Sequence, residues 1–414
     1  MKQTNPGNDI AAKAKTLFIL VYGSLRTGGI ETLIVRMANY LAKNGFGVMV
    51  CCGDGGLLHA LPSSAHVVTY NDTGDLRRKL RAEGGSILSE AMDVIIISFD
   101  PISAPRALQV ELQCASRGRI THLSGVFHPR AYFMTGERQD RIVLNHWVAR
   151  AVGYPHLFFM NEECRSSHAK RWNVDLGRSP IATLPIDAAE NAWAANAGSQ
   201  LRIVSVGRLV DFKAYNLGAP WIVATLRERG VHVSWDIYGD GPLQGKMEKE
   251  IAECNVRDLV RLKGELPYCD FQRTVASYDI FVGMGTAALE AAMLGVPTIC
   301  ATDSQRERCY GFLHELPYGN VGELQSNLPA VEMPTLIADF AHADLSVRTK
   351  ESEMCRAAAI RYEMGGFIDQ LAVIHKAQTA KPRRVLKRLV AWLYCLATES
   401  AAVGLLRRTV RGGS

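Results

Sequence analysis

The chain has 414 residues, 48% of them apolar and 21% charged, with a net charge of +6 at pH 7. That length corresponds to two or three domains of ordinary globular composition, with no repeat or low-complexity tract. Nine Lys or Arg fall between Lys376 and Ser414 against the single acid Glu399, so the rest of the chain is near neutral. A nucleic-acid-binding body, which needs a basic surface, is therefore disfavoured.

Ten cysteines are scattered, with Cys51 and Cys52 adjacent and no CxxC pair. Metal-site spacing is absent, and a reducing, cytoplasmic setting is expected. The residues before Thr16 are polar, and the run TLFILVYG that follows is too short to span a membrane.

In chain order, TLFILVYG (16–23), FGVMVCC (46–52), DVIIIS (93–98) and RITHLSGVF (119–127) are apolar runs that predict buried strands. Most lack polar alternation, which suits a parallel sheet covered on both faces. Between the first two, ETLIVRMANYLAKNG places Ile34, Met37, Ala38 and Leu41 at helical spacing and stops at Gly45. Such β–α alternation implies an α/β sheet with right-handed crossovers. The stretch 185–200 is poor in strand formers and reads as a boundary. The pattern then restarts: LRIVSVGRL, VHVSWDIYG, LVRLKG, YDIFVGM and VPTICA are five further strand candidates. Domain limits of 1–187, 188–375 and 376–414 are expected. Two Rossmann-like units in series predict ligand sites just beyond the carboxyl ends of strands.

The motifs lie at such places. In YGSLRTGGIET (22–32), Gly28 and Gly29 open a helix whose first N–H groups can meet an anion; a flexible loop with a helix cap is the plain alternative. In SVGRLVDFKAYN (205–216), Arg208 and Lys213 flank a turn and can clamp a diphosphate, or are two solvated cations. YGDGPL (238–243) is a turn with a structural role. FVGMGTAALEAAMLGVPTI (281–299) runs from a strand through Gly283, Met284 and Gly285 into a helix from Thr286. Its single charge, Glu290, shares a helix face with Thr286, and a vicinal diol would supply the hydrogen bonds a buried carboxylate needs, with a cation elsewhere in the fold as the plain alternative. In GVFHPR, His128 follows a strand and can move a proton near neutral pH, whereas His122 lies within the strand and reads as core.

In this order, these features resemble glycosyltransferase family 4, retaining nucleotide-sugar-dependent enzymes of the GT-B fold. The resemblance covers roughly Thr16 to Ala372 and is strongest from Leu201 to Ala301. GGIET is similar to the family's first-domain glycine loop, VGRL with Lys213 to its diphosphate clamp, YGDGPL to its G-[DE]-G-P turn, and GMGTAALEAAMLGVPTI to its E-x₇-E segment. The resemblance implies two Rossmann-like domains facing a central cleft, acceptor-side over 1–187 and donor-side over 188–375, with a basic helical tail. It implies ribose binding by Glu290, phosphate contact by Gly283, Met284, Gly285 and Thr286, and leaving-group neutralisation by Arg208 and Lys213. It places His128 near the transferred sugar. One position departs: the family's first glutamate falls on Val282.

The implied function is transfer of a sugar, with retention, from a nucleotide donor to a glycan or lipid-linked acceptor in cell-surface polysaccharide biosynthesis. UDP- or GDP-sugars come ahead of ADP-sugars, and no metal or tightly bound cofactor is expected. The segment 381–411 joins basic ends to an apolar middle, with Leu386, Leu389, Val390, Leu393 and Ala397 in a stripe. That pattern suits an anionic membrane surface, and a location on the inner face of the cell membrane is expected. The alternatives are a non-catalytic sugar-nucleotide-binding or assembly protein, an oxidoreductase, which the lack of GxGxxG opposes, and an epimerase of the same fold.

Overall fold

A computed structural model of the chain describes residues 15–26, 29–83, 88, 91–114, 119–133, 139–196, 198, 200–325, 328–377, 387, 389–391 and 393–394. It divides into two units. One takes the residues up to Thr183 and again from Phe367; the other takes Leu184–Gly366.

The first unit runs β1 (Thr16–Ser24), α1 (Gly29–Lys43), β2 (Gly47–Gly53), β3 (His66–Thr69), α2 (Thr73–Glu83), β4 (Asp93–Ser98), α3 (Ala104–Gln113), β5 (Arg119–Val126), α4 (Gln139–Val152), β6 (Leu157–Phe159) and α5 (Glu162–Trp172). Its six-stranded sheet has the order β3-β2-β1-β4-β5-β6 and is parallel throughout. This is the doubly wound order, which reverses direction between β1 and β4. The apolar runs form the strands because both faces are covered: Leu17, Ile19 and Val21 on one face pack with Leu76 and Leu80 of α2 and Ala107 and Val110 of α3, and Phe18 and Leu20 on the other are also buried. The expected stripe of α1 is buried as read, through Ile34, Met37, Ala38 and Leu41.

The second unit runs β7 (Leu201–Val206), α6 (Tyr215–Glu228), β8 (Val233–Tyr238), α7 (Gln244–Glu253), β9 (Val260–Leu262), α8 (Phe271–Val275), β10 (Ile280–Gly283), α9 (Thr286–Met293), β11 (Thr298–Ala301), β12 (Arg308–Phe312), β13 (Val331–Glu332), α10 (Met333–His342) and α11 (Leu345–Ile360). The sheet order is β13-β12-β11-β10-β7-β8-β9. All five expected strands are present and parallel. Two antiparallel strands, β12 and β13, extend one edge. The order reverses between β7 and β10, and Ser205 ties the two there: its hydroxyl donates to the Val282 carbonyl at 2.7 Å and accepts from Trp235 Nε1 at 2.9 Å.

The last helix, α12 (Met364–Ala377), crosses the boundary. His375 Nδ1 lies 2.9 Å from Thr121 Oγ1 and its Nε2 3.2 Å from Asp93, while Arg119 donates to the His375 and Lys376 carbonyls. These contacts give the chain from Phe367 onwards to the first unit, so the structure differs from the expected cuts at 187 and 375.

Most of the expected amphipathic tail, 376–414, lies outside the described residues. Those described do not follow the membrane stripe alone. Val390, Ala391 and Tyr394 are buried, and so is Lys387, whose Nζ donates to Glu111 Oε1 of α3 at 2.5 Å. Leu389 and Leu393 remain exposed. His122 is core as expected: it is fully buried, bonded to Ser98, and held neutral by burial and the nearby Lys387 charge. No helix among the described residues is long and apolar enough to cross a membrane.

The buried Lys387–Glu111 pair makes a directional prediction. Lys387→Met leaves Glu111 buried without a counter-charge and lowers stability to denaturant by about 3 kcal/mol. Adding Glu111→Leu in the same chain recovers most of that loss.

Candidate functional site

The site residues of the second unit gather where β7 and β10 end, the place that strand reversal leaves open for a ligand. After β7 the chain turns at Gly207, whose φ is +152°. Lys213 folds back so that its Nζ stands where a Cβ on Gly207 would be. Only glycine allows that approach. No hydrogen bond or ion pair satisfies Lys213 among the described residues. Burial, and secondly the Arg208 charge, pull its pKa down to about 8. An ammonium held half-buried beside a guanidinium, with no acid between them, is an arrangement that an anion stabilises.

The YGDGPL turn supports that loop, as its sequence suggests. The N–H of Gly207 donates to the Tyr238 carbonyl at 2.9 Å and that of Leu209 to the Asp240 carbonyl at 2.7 Å. Gly239, with φ +139°, sits so close that a Cβ there would strike the Gly207 carbonyl. Two backbone hydrogen bonds and this close approach thus join the turn to the Arg208 loop.

Across the strand reversal, β10 runs through Gly283, and Gly285 precedes the first turn of α9. The Gly285 N–H donates to the Val321 carbonyl at 2.7 Å. Helix α9 gives Leu289, Ala292 and Met293 to one core cluster and Ala288 and Ala291 to a second. Thr286, Ala287 and Glu290 are the residues left half-buried. Glu290 is thus placed on the face the sequence predicts, and it borders a pocket of about 260 Å³ shared with Asp187, Tyr268, Cys269 and Gln272. That volume is slightly below the ~300 Å³ typical of the smallest ligand pockets, which suits part of a ligand. Val282 is fully buried in the core and paired in register with Ile299. Its side chain is committed to packing.

Sequence reasoning missed the supports of this site. Tyr268 stands 53% exposed at the pocket in a short turn after β9. The 319–323 loop carries Val321, and Glu323 Oε2 accepts the Val321 N–H at 2.8 Å. The Ser304 N–H donates to the Phe212 carbonyl at 2.9 Å and so braces the Lys213 turn. A lone aromatic or a Gly-Asn-Val-Gly run has no sequence signature of its own; only strand adjacency brings these residues here.

In the first unit, Gly28 lies outside the described residues. Gly29 is exposed at the first position of α1, and a Cβ there would meet nothing. Glu31 lies in the first turn. His128 is exposed just past β5. Its Nδ1 accepts the Arg130 N–H at 3.0 Å, which places the proton of a neutral ring on Nε2.

No family model matches the chain. It is similar to the GtfA subunit of a UDP-N-acetylglucosamine–peptide N-acetylglucosaminyltransferase of Streptococcus gordonii, 26% identical over 129 residues, which is 29% of this chain and 24% of that one. It is 30% identical over 97 residues to the amylovoran biosynthesis glycosyltransferase AmsK of Erwinia amylovora, 23% of this chain and 24% of that one. The chain thus matches about a quarter of the length of these curated relatives. Among solved structures, a glycosyltransferase from Rickettsia africae aligns at a TM-score of 0.59 with 13% identity, over 87% of this chain and 97% of that one. A crystal structure of S. aureus TarM, a mutant in complex with fondaparinux, alpha-GlcNAc-glycerol and UDP, aligns at 0.51 with 15% identity, over 74% of this chain and 59% of that one. The two Rossmann-like units are those of the GT-B glycosyltransferase fold.

The site predicts a pH-dependent anion affinity. Pyrophosphate beside Lys213 raises its pKa above the free value of about 8. Affinity is therefore full while the free lysine is charged, below about pH 7. It falls as pH rises through 8, by up to about tenfold per unit. Calorimetry of wild type against Lys213→Met separates this slope from the ligand's own titration. The variant lacks the extra slope and binds about 1.5–3 kcal/mol more weakly at pH 7.

Proposed function

We propose that this protein is a glycosyltransferase that uses a nucleotide-sugar donor. The observation that carries the reading is the pair Arg208 and Lys213. Two cations without acidic partners among the described residues stand at the strand reversal, on the ligand side of the sheet that also presents the Gly283–Thr286 loop. Departure of a nucleoside diphosphate develops negative charge on its phosphate, and preorganised cations with the free N–H groups of a helix start stabilise that charge. Glu290 takes the ribose hydroxyls, and the exposed ring of Tyr268 offers a flat surface to the base. UDP is the first candidate donor group, since UDP is present in the TarM crystal and the GtfA relative is named for a UDP-sugar.

The reaction is transfer with retention to a glycan or lipid-linked acceptor of cell-surface polysaccharide. The bond from the anomeric carbon to the diphosphate breaks, the acceptor hydroxyl forms its bond on the same face, and its proton passes to the departing phosphate. In the first unit we assign His128 to the transferred sugar. Arg208 and Lys213 supply the charge on the leaving group, so no metal has a role in this step.

A second reading, a sugar-nucleotide binder without turnover, draws on Val282. With a buried valine in place of the family's first glutamate, sugar recognition falls to the backbone N–H groups of the 283–286 loop.

Titration with UDP, GDP and ADP, wild type beside Glu290→Ala, tests the binding half. One nucleotide binds, and the variant weakens it by about 1–3 kcal/mol. Release of that nucleotide from its sugar donors in the presence of glycan acceptors tests the catalytic half; binding without release would select the second reading.

A further inference from the structure

We propose that His314, Glu351 and Cys355 form a binding site for one divalent transition-metal ion, zinc by preference. His314 sits in the short turn Leu313–Glu315 directly after β12, and Glu351 and Cys355 are four residues apart on α11. Their ligand atoms all lie within 4.8 Å of one another. His314 Nε2 is already 3.0 Å from Glu351 Oε2. Zinc bonds of about 2.0–2.3 Å in a tetrahedron set neighbouring ligands roughly 3.3–3.7 Å apart. The three atoms reach that spacing by side-chain movements of about 1 Å in the widest pair.

The donor chemistry selects the ion. Imidazole and thiolate favour zinc over the oxygen-seeking magnesium and calcium. One carboxylate and one thiolate balance the two positive charges, so no net charge is buried. The Cys355 sulfur lies at the closed end of the cluster, fully buried. His314 and Glu351 keep 15% and 21% of their side chains exposed. That open side admits the ion and a water as fourth ligand. Outer-shell support is in place. The backbone of Leu313 and His314 hydrogen-bonds toward the Cys355 sulfur, and the Phe312 ring stacks parallel to His314 at 6.3 Å. The present contacts are the His314–Glu351 hydrogen bond and a long contact from the Cys355 thiol, which donates to the Thr298 carbonyl at 3.9 Å; the ion's bonds replace both.

The ion joins α11 to the turn after β12. Helix α11 in turn holds the far end of α9: Arg356 Nε donates to the Met293 carbonyl at 3.0 Å, and the Ser352 hydroxyl donates to the Gly295 carbonyl. The metal is therefore a structural clasp behind the helix that presents Glu290, and it takes no part in bond making. On binding, the Cys355 thiol gives its proton to the buffer.

Chelator-stripped full-length protein titrated with cobalt(II) tests this. One equivalent binds with a thiolate-to-cobalt charge-transfer absorption, and zinc displaces it. Cys355→Ser abolishes the absorption, and His314→Gln weakens zinc binding by more than ~100-fold, beyond what an outer-shell partner costs. His314 is partly exposed, so the second variant stays informative should the first fail to fold. No absorption in the wild type, an undiminished one in Cys355→Ser, or unchanged zinc affinity in His314→Gln would overturn the proposal.

Discussion

The second unit depends on one unbalanced charge. Lys213 is held half-buried over the Cα of Gly207, beside Arg208, with no anion among the described residues to answer it. Keeping an ammonium there costs desolvation, and the surrounding backbone holds the lysine in place without compensating it. Gly207 leaves room, and the Gly239 turn locks the loop from behind. The Ser304–Phe212 bond fixes the turn that carries the lysine. Each of these groups serves the cation pair, and none of them neutralises it. An arrangement of that kind is preorganised for a ligand that brings the missing negative charge.

The same economy explains the single carboxylate in an apolar run. Helix α9 lies between two cores and surrenders nearly every position to them. Thr286 and Glu290 are the half-buried positions that neither core takes, and Glu290 borders the pocket at Tyr268. Val282, eight residues before Glu290, is on the other side of this division. It lies inside β10 with its side chain in the core and its carbonyl bonded to Ser205.

The sequence made most of the parallel strands legible because both their faces are buried, so β1, β2, β4, β5, β10 and β11 read as continuous apolar runs, whereas β8 reads by its alternation of buried and half-buried residues. The strands β3, β6 and β13 have four, three and two residues, too few for a period to register. β12 follows a polar turn and runs antiparallel. Positions were legible through local spacing where they follow a strand, as with Arg208 and Lys213 after β7, or share a helix face, as with Thr286 and Glu290 on α9. Groups that meet only through the sheet were not: Val321 and Gly285, or His314 with Glu351 and Cys355. Lys387 shows the opposite failure. Among neighbouring cations it looks like a lipid contact, yet Glu111, buried on a distant helix, draws it inward.

A crystal structure of the protein grown with saturating UDP is the most direct test of the account. It predicts the diphosphate within hydrogen-bond reach of Arg208, Lys213 and the N–H groups at the start of α9, with the ribose hydroxyls on Glu290. Nucleotide bound elsewhere, or a diphosphate that leaves Lys213 without a contact, would contradict it.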